Sequence, residues 1–264
     1  MVTDWGGSND HIRSIALRSN LEMPTPGLDA ARRVIKVIED GELTMEELNQ
    51  CVDDLLSAVL ELSGERNIGS TINWEAHHQL ARKAAEESIV LLKNEGGAEP
   101  LLPLKKGCRV ALIGDFAFTP RYQGTGSSVV NTQREVETMR NLIEGYPVEL
   151  VGCCPGYHRS DASDETLKKE AIELAQNAET VLYCFGLNES SEAEGMDRGH
   201  MRIPQNQLEL LESLASVNSN IVGVMRGGSV VEMTSWRHLC KALFMDIWAD
   251  RREQDQCYVC LQEW

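Results

Sequence analysis

The 264-residue chain contains no apolar run near the roughly 20 residues that a membrane-crossing helix needs. Its first residues lack the basic-then-apolar layout of a secretory signal. Positive charge is scarce: 25 Lys and Arg stand against 41 Asp and Glu, a net charge of -16 spread along the chain. That balance argues against nucleic acid or an anionic membrane as partner and suits a neutral or cationic small substrate. His77 and His78 have no HExxH spacing, and no P-loop lysine-serine pair or Rossmann glycine spacing occurs. Cys257 and Cys260 form one CxxC with no second ligand pair, so no metal site is read there, and no motif calls for a cofactor. The other six cysteines outline no small disulfide framework. Cys108, Cys153, Cys154 and Cys184 lie in or beside apolar, strand-like segments, as small buried hydrophobes do. A reduced, cytoplasmic protein is the expectation.

What is present is ordinary for a globular protein, 42% hydrophobic and 25% charged, with length for one large or two modest domains. The opening "MVTDWGGSND" starts a strand at Val2 and Thr3, then stops it at Asp4 and Trp5 before a glycine turn. An acidic residue at the carboxyl end of a short strand is how α/β enzymes present a working carboxylate. A polar loop ending "NLEMPTPG" follows, then a helix over 28–39 with Ala31, Val34, Ile35 and Ile38 on one face. In "LTMEEL", Thr44 and Glu47 form a capping box for a second helix, whose apolar face runs Val52, Leu55, Leu56, Val59, Leu60, Leu62. Residues 1–63 therefore read as a piece of an α/β barrel that cannot bury its own faces. Residues 64–72, "GERNIGSTI", read as a linker.

From 73 to 264 a second α/β domain is expected. After a helical stretch at 73–88, six apolar segments read as strands: "SIVLLKN", "RVALIGD", "VELVGCC", "TVLYCFGL", "NIVGVMR" and "KALFMDIW". Helical segments near 135–144, 165–178 and 206–216 lie between them, which indicates a mostly parallel sheet covered by helices on both faces. After the "TVLYCFGL" strand comes a loop carrying Glu189, Glu192, Glu194, Asp197 and Arg198. On composition it is a solvated acidic loop. Its place beyond a strand's carboxyl end is also where open parallel sheets bind ligands. "RYQGTGSSVVN" (121–131) could cradle a phosphate but lacks the motif for it, and "RGGSVVEM" (226–233) is equally unspecific.

Taken in order, "VTDWGG", "NLEMPTPG", "GELTMEELNQCVDDLL", "AAEESIVLLKNE", "LLPL", "VALIGD", "RYQGTGSS", "EAEGMDR", "IPQNQLELL" and "GSVVEM" resemble family-three glycoside hydrolases of the β-glucosidase type. The resemblance runs from residue 1 to about residue 247. It implies the C-terminal remnant of a (β/α)8 barrel followed by an incomplete α/β sandwich domain with a mostly parallel sheet. It also implies a retaining glycosidase acting on a β-glucoside or oligosaccharide. Asp4 matches the family's nucleophile, Trp5 the aromatic that borders the sugar, and Glu194, before the glycine of "EGMDR", the general acid/base of many members. Glu189 and Glu192 stand close enough to exchange that role. Asp197 and Arg198 are expected to form a charge pair that orders the loop. Such enzymes set one carboxylate to attack the anomeric carbon and one carboxylic acid to protonate the leaving oxygen, about 5–5.5 Å apart. The acid then needs a raised pKa.

Two departures stand out. Family members carry most of a barrel before this aspartate, so Met1 is expected to be internal to a longer gene. The match also breaks near residue 247, where the tail "ADRREQDQCYVCLQEW" points to a truncation or altered reading frame and makes Cys257 and Cys260 incidental. Little turnover is expected of such a fragment. In addition, Arg18 stands where members commonly carry glycine. A non-catalytic sugar-binding module and a flavodoxin-like nucleotide domain are the other readings.

Overall fold

A computed structural model of the chain describes residues 1–64, 69, 71–96, 99–127, 129, 131–132 and 136–246. The tail expected to be aberrant, with Cys257 and Cys260, lies outside the described residues, as does most of the expected linker. The chain divides into two compact units, Met1–Ile72 and Asn73–Trp264.

In the first unit the expected opening strand is reduced to a single parallel bridge, Val2 to Leu21. The turn at Gly6 and Gly7 leaves the segment too short to pair further. A short helix that the sequence did not announce, α1 (His11–Ala16), follows, capped by Asp10, whose carboxylate accepts the Arg13 amide at 3.1 Å. It closes in a Schellman turn: the amide of Arg18 donates to Ile15 O and that of Ser19 to Ser14 O, both at 2.9 Å. This turn requires a left-handed residue, and Arg18 supplies it at φ 65°, the one described non-glycine residue with positive φ. Arg18 then reaches Asp54 with two hydrogen bonds of 2.8 and 2.9 Å.

Helices α2 (Leu28–Glu39) and α3 (Met45–Gly64) fall where the periodicity puts them. The capping box closes in both directions, with Glu47 N donating to Thr44 Oγ1 at 3.2 Å and Thr44 N to Glu47 Oε2 at 2.8 Å. The unit's core is small: Ile15, Val34, Leu43 and Cys51, backed by Ile12, Val37, Ile38 and Leu48. Val52, Leu56, Val59, Leu60 and Leu62, read as the apolar face of α3, are exposed.

The second unit opens with α4 (Trp74–Glu86), capped by Asn73. Its six strands are β1 (Val90–Asn94), β2 (Arg109–Ile113), β3 (Glu149–Cys154), β4 (Thr180–Gly186), β5 (Ile221–Arg226) and β6 (Ala242–Asp246), matching the six apolar runs. They form one sheet in the order β1-β6-β5-β4-β2-β3. All neighbours are parallel except β1, which pairs antiparallel with β6 at the edge. Every residue of the central strands β4 and β5 is buried, as a strand covered on both faces must be. Of the helices, α5 (Met139–Leu142) is shorter than the 135–144 expected, giving way to a 3-10 turn over Ile143–Gly145. Helices α6 (Glu165–Asn177) and α7 (Gln205–Val217) run nearly as read.

The two faces of the sheet are covered separately. Tyr183 of β4 points to α7, where its hydroxyl donates to Gln207 O at 2.8 Å. Its neighbour Cys184 points the other way, onto Met139 of α5 at 3.3 Å. The six described cysteines are free thiols. Cys154 and Cys184 are buried as expected, whereas Cys108 and Cys153, nearer the strand edges, are only half-buried.

Candidate active site

Asp4 sits in a tight turn. Its own carbonyl accepts the Gly7 amide at 2.8 Å and its carboxylate Oδ1 accepts the Trp5 amide at 2.8 Å. The turn is tied to the segment around Met23: Thr3 N donates to Leu21 O at 3.0 Å and Met23 N to Thr3 Oγ1 at 2.9 Å. The carboxylate is exposed, and Trp5 beside it leaves 68% of its surface in solvent, an open indole face.

In the second unit the chain runs from β2 outward to β3, then crosses back to β4 on the other side of β2. The boundary between β2 and β4 is therefore the topological switch point, and open parallel sheets bind ligands beyond the carboxyl ends of the strands at such a point. Both candidate loops leave from here. The glycine-rich stretch lies beyond the end of β2 and the acidic loop follows β4. They meet in a parallel bridge between Thr125 and Ala193.

The three glutamates of the acidic loop differ in what holds them. Glu189 is ion-paired with Arg159 at 2.6 Å. That arginine also binds the Asp115 carboxylate and lies over the Phe116 ring, 4.2 Å from its centre. Glu192 is buried, its side chain 6% exposed against 1% for Arg121, with which it pairs. It also accepts the Gly228 amide at 3.0 Å and the Ser229 hydroxyl. Burial pushes its carboxyl up, but the hydrogen bonds of Gly228, Ser229 and Arg121 outweigh that and leave it below the ordinary carboxylate value of 4.5. Glu194 is exposed and, among the described residues, makes no ion pair. Its Oε2 accepts both the amide and the hydroxyl of Ser127, each at 2.5 Å. The Ser127 hydroxyl and amide hold its carboxyl below 4.5, opposite to the raised value expected of an acid catalyst.

Asp197 and Arg198 form no ion pair among the described residues. Arg198 instead binds Ser229 Oγ at 2.7 Å and Val230 O at 2.8 Å, which fastens the acidic loop to the one after β5. The Arg198 guanidinium is spent on that loop, so adjacency in sequence did not become an ion pair. Sequence reasoning passed over Arg121, Ser127, Gly228 and Ser229. The two unspecific glycine segments that carry them were the available signal: glycines at strand ends mark close backbone approach. No cluster of three or more His, Cys, Asp or Glu side chains able to hold a metal ion is found among the described residues.

Comparison with known proteins agrees with this architecture. The family model for the glycosyl hydrolase family 3 C-terminal domain matches residues 89–256. Thermostable beta-glucosidase B of Acetivibrio thermocellus is 39% identical over 236 residues, covering 88% of this chain and 31% of that protein. An exo-alpha-(1->6)-L-arabinopyranosidase of Bifidobacterium longum is 33% identical over 255 residues, 92% of this chain and 33% of its own. The crystal structure of a family 3 beta-glucosidase from Bifidobacterium adolescentis superposes with a TM-score of 0.87 at 32% identity, covering 98% of this chain and 38% of that one. The chain thus spans about a third of the length of the curated relatives it matches.

Proposed function

Given that this chain belongs to glycosyl hydrolase family 3, whose C-terminal domain it carries, we propose that it supplies catalytic groups to a retaining β-glycosidase, most simply a β-glucosidase. The first unit is then the end of a (β/α)8 barrel. Asp4, exposed at its turn, attacks the anomeric carbon of a β-glucoside or oligosaccharide. As the bond to the leaving oxygen breaks, Glu194 gives that oxygen its proton, and a glycosyl ester remains on Asp4. Glu194, now a carboxylate, takes a proton from water, which releases the sugar from Asp4. Trp5 offers an apolar surface for the ring. Glucose is the preferred sugar on the strength of the similarity to beta-glucosidase B.

The observation that carries the assignment of the acid/base is the sorting of the glutamates. Glu189 and Glu192 are committed to arginines, while Glu194 is exposed on the loop beyond β4, with one carboxylate oxygen that takes no hydrogen bond among the described residues. The low proton affinity of Glu194, set by the Ser127 hydroxyl and amide, suits the second, base half of the cycle. The acid half then requires the sugar to exclude water around it. No observation favours a purely sugar-binding module.

These 264 residues alone turn over little substrate, because orienting the sugar supplies up to about 7–11 kcal/mol of such a barrier. The test joins them to the part of the Acetivibrio thermocellus enzyme that they do not span and follows release of 4-nitrophenol from its β-glucoside. Asp4→Asn abolishes hydrolysis. Glu194→Gln lowers it strongly for poor leaving groups and less for 4-nitrophenol, whose departure needs little protonation. Full activity in the Asp4→Asn fusion sinks the proposal.

A further inference from the structure

The glycine-rich stretch after β2 is built for close approach. At Gly126 the backbone has φ 119°, and a side chain there would place its Cβ 2.5 Å from Glu194 Oε2 and 2.6 Å from Glu194 Cβ. On one side of it Thr125 O accepts the Glu194 amide at 2.9 Å. On the other, Ser127 gives Glu194 Oε2 both of its donors at 2.5 Å. Three consecutive residues thus grip one glutamate by its backbone, its Cβ and one carboxylate oxygen. Glu194 Oε1 takes no hydrogen bond among the described residues.

We propose that Thr125-Gly126-Ser127 is the seat of the acid/base, with Ser127 a positioning residue that fixes Glu194 Oε2 and leaves Oε1 to exchange the proton with the leaving oxygen and then with water. The inference rests on the reading of Glu194 as the acid/base. Its physical content is separable from that reading. A hydroxyl donating to a carboxylate favours the ionised form, so losing it raises the proton affinity, while the Ser127 amide remains in any variant. Glu192, tied to Arg121 at the start of the same stretch, keeps the two loops in register.

The experiment titrates the full 264-residue chain, carrying 13C-labelled glutamate, by NMR, with the Glu194 signal assigned by its loss in Glu194→Gln. In Ser127→Ala the Glu194 midpoint moves up, and in Ser127→Thr, which restores the hydroxyl, it returns to the wild-type position. Unchanged thermal melts show that neither variant disturbs the fold. A midpoint in Ser127→Ala equal to wild type overturns the proposal, as does a Ser127→Thr midpoint as displaced as that of the alanine variant. The fused enzyme supplies the second reading: the alkaline limb of its kcat/KM profile moves up in Ser127→Ala. Should Glu194→Gln leave hydrolysis intact, the assignment of the acid/base falls and Ser127's catalytic role with it, whatever the titration gives. Should Glu194→Gln abolish hydrolysis while the titration stays fixed, the seat alone is refuted.

Discussion

Replacing Glu192 with glutamine tests how the second unit holds its acidic loop. Arg121 is 1% exposed and its guanidinium meets Glu192 and the Leu187 carbonyl, the latter at 3.1 Å. Glu192 in turn joins the loops that follow β4 and β5 through Gly228 and Ser229. Glutamine removes the charge that pairs with the buried Arg121 guanidinium, and losing one partner of a buried ion pair costs up to about 3–5 kcal/mol. That is a large share of the roughly 5–15 kcal/mol by which a domain is stable. With urea dependence of about 1–3 kcal/mol per molar, the midpoint of unfolding falls by about 1 M or more. The sign with pH follows from linkage. Glu192 titrates below its ordinary 4.5 in the folded chain, so its contribution is complete above the unfolded value and is lost as pH falls through the folded one. The gap between wild type and Glu192→Gln therefore closes in acid. Urea titrations followed by near-ultraviolet circular dichroism at neutral pH and below pH 4.5 measure both effects. A neutral-pH shift under about 0.3 M, or a gap that persists in acid, would refute the reasoning.

Two other perturbations separate effects that the sequence merges. Arg18→Gly gives up the exposed, solvent-screened pair with Asp54 but relieves a left-handed residue that costs about 1 kcal/mol. Arg18→Ala loses the pair and keeps the strain, so thermal melts should rank the glycine variant above the alanine variant; the reverse order would show that the Schellman turn is unstrained. Burial holds the thiols of Cys154, Cys184 and Cys240 up to about 12. Iodoacetamide at pH 8 should leave all three unmodified in the folded chain and modify them in urea, as read by peptide mass spectrometry.

Elements set by local chemistry were legible without coordinates. The apolar runs became six strands, and Thr44 and Glu47 closed the capping box three residues apart. Helix α2 kept its expected ends because the pattern and Gly41 lie within one short stretch. The family was readable too, since its motifs are short and ordered, and two of them carry Asp4 and Glu194. What failed locally also has a reason. A strand needs a partner, and Val2 and Thr3 found only Leu21 and its neighbours. A cap and one turn are too brief a signal to announce α1.

The residue types, their periodicity and their turn chemistry thus determined the list of elements, the parallel character of the sheet and the carboxylates on offer. Only the tertiary structure decided which carboxylate stays uncommitted. Glu189 meets an arginine 30 residues away and Glu192 one 71 residues away. Glu194 meets Ser127 across 67 residues, and Arg198 turns from its neighbour Asp197 to Ser229. No local pattern encodes those encounters. They follow from the strand order, which places the ends of β2, β4 and β5 side by side and brings three loops within hydrogen-bonding reach.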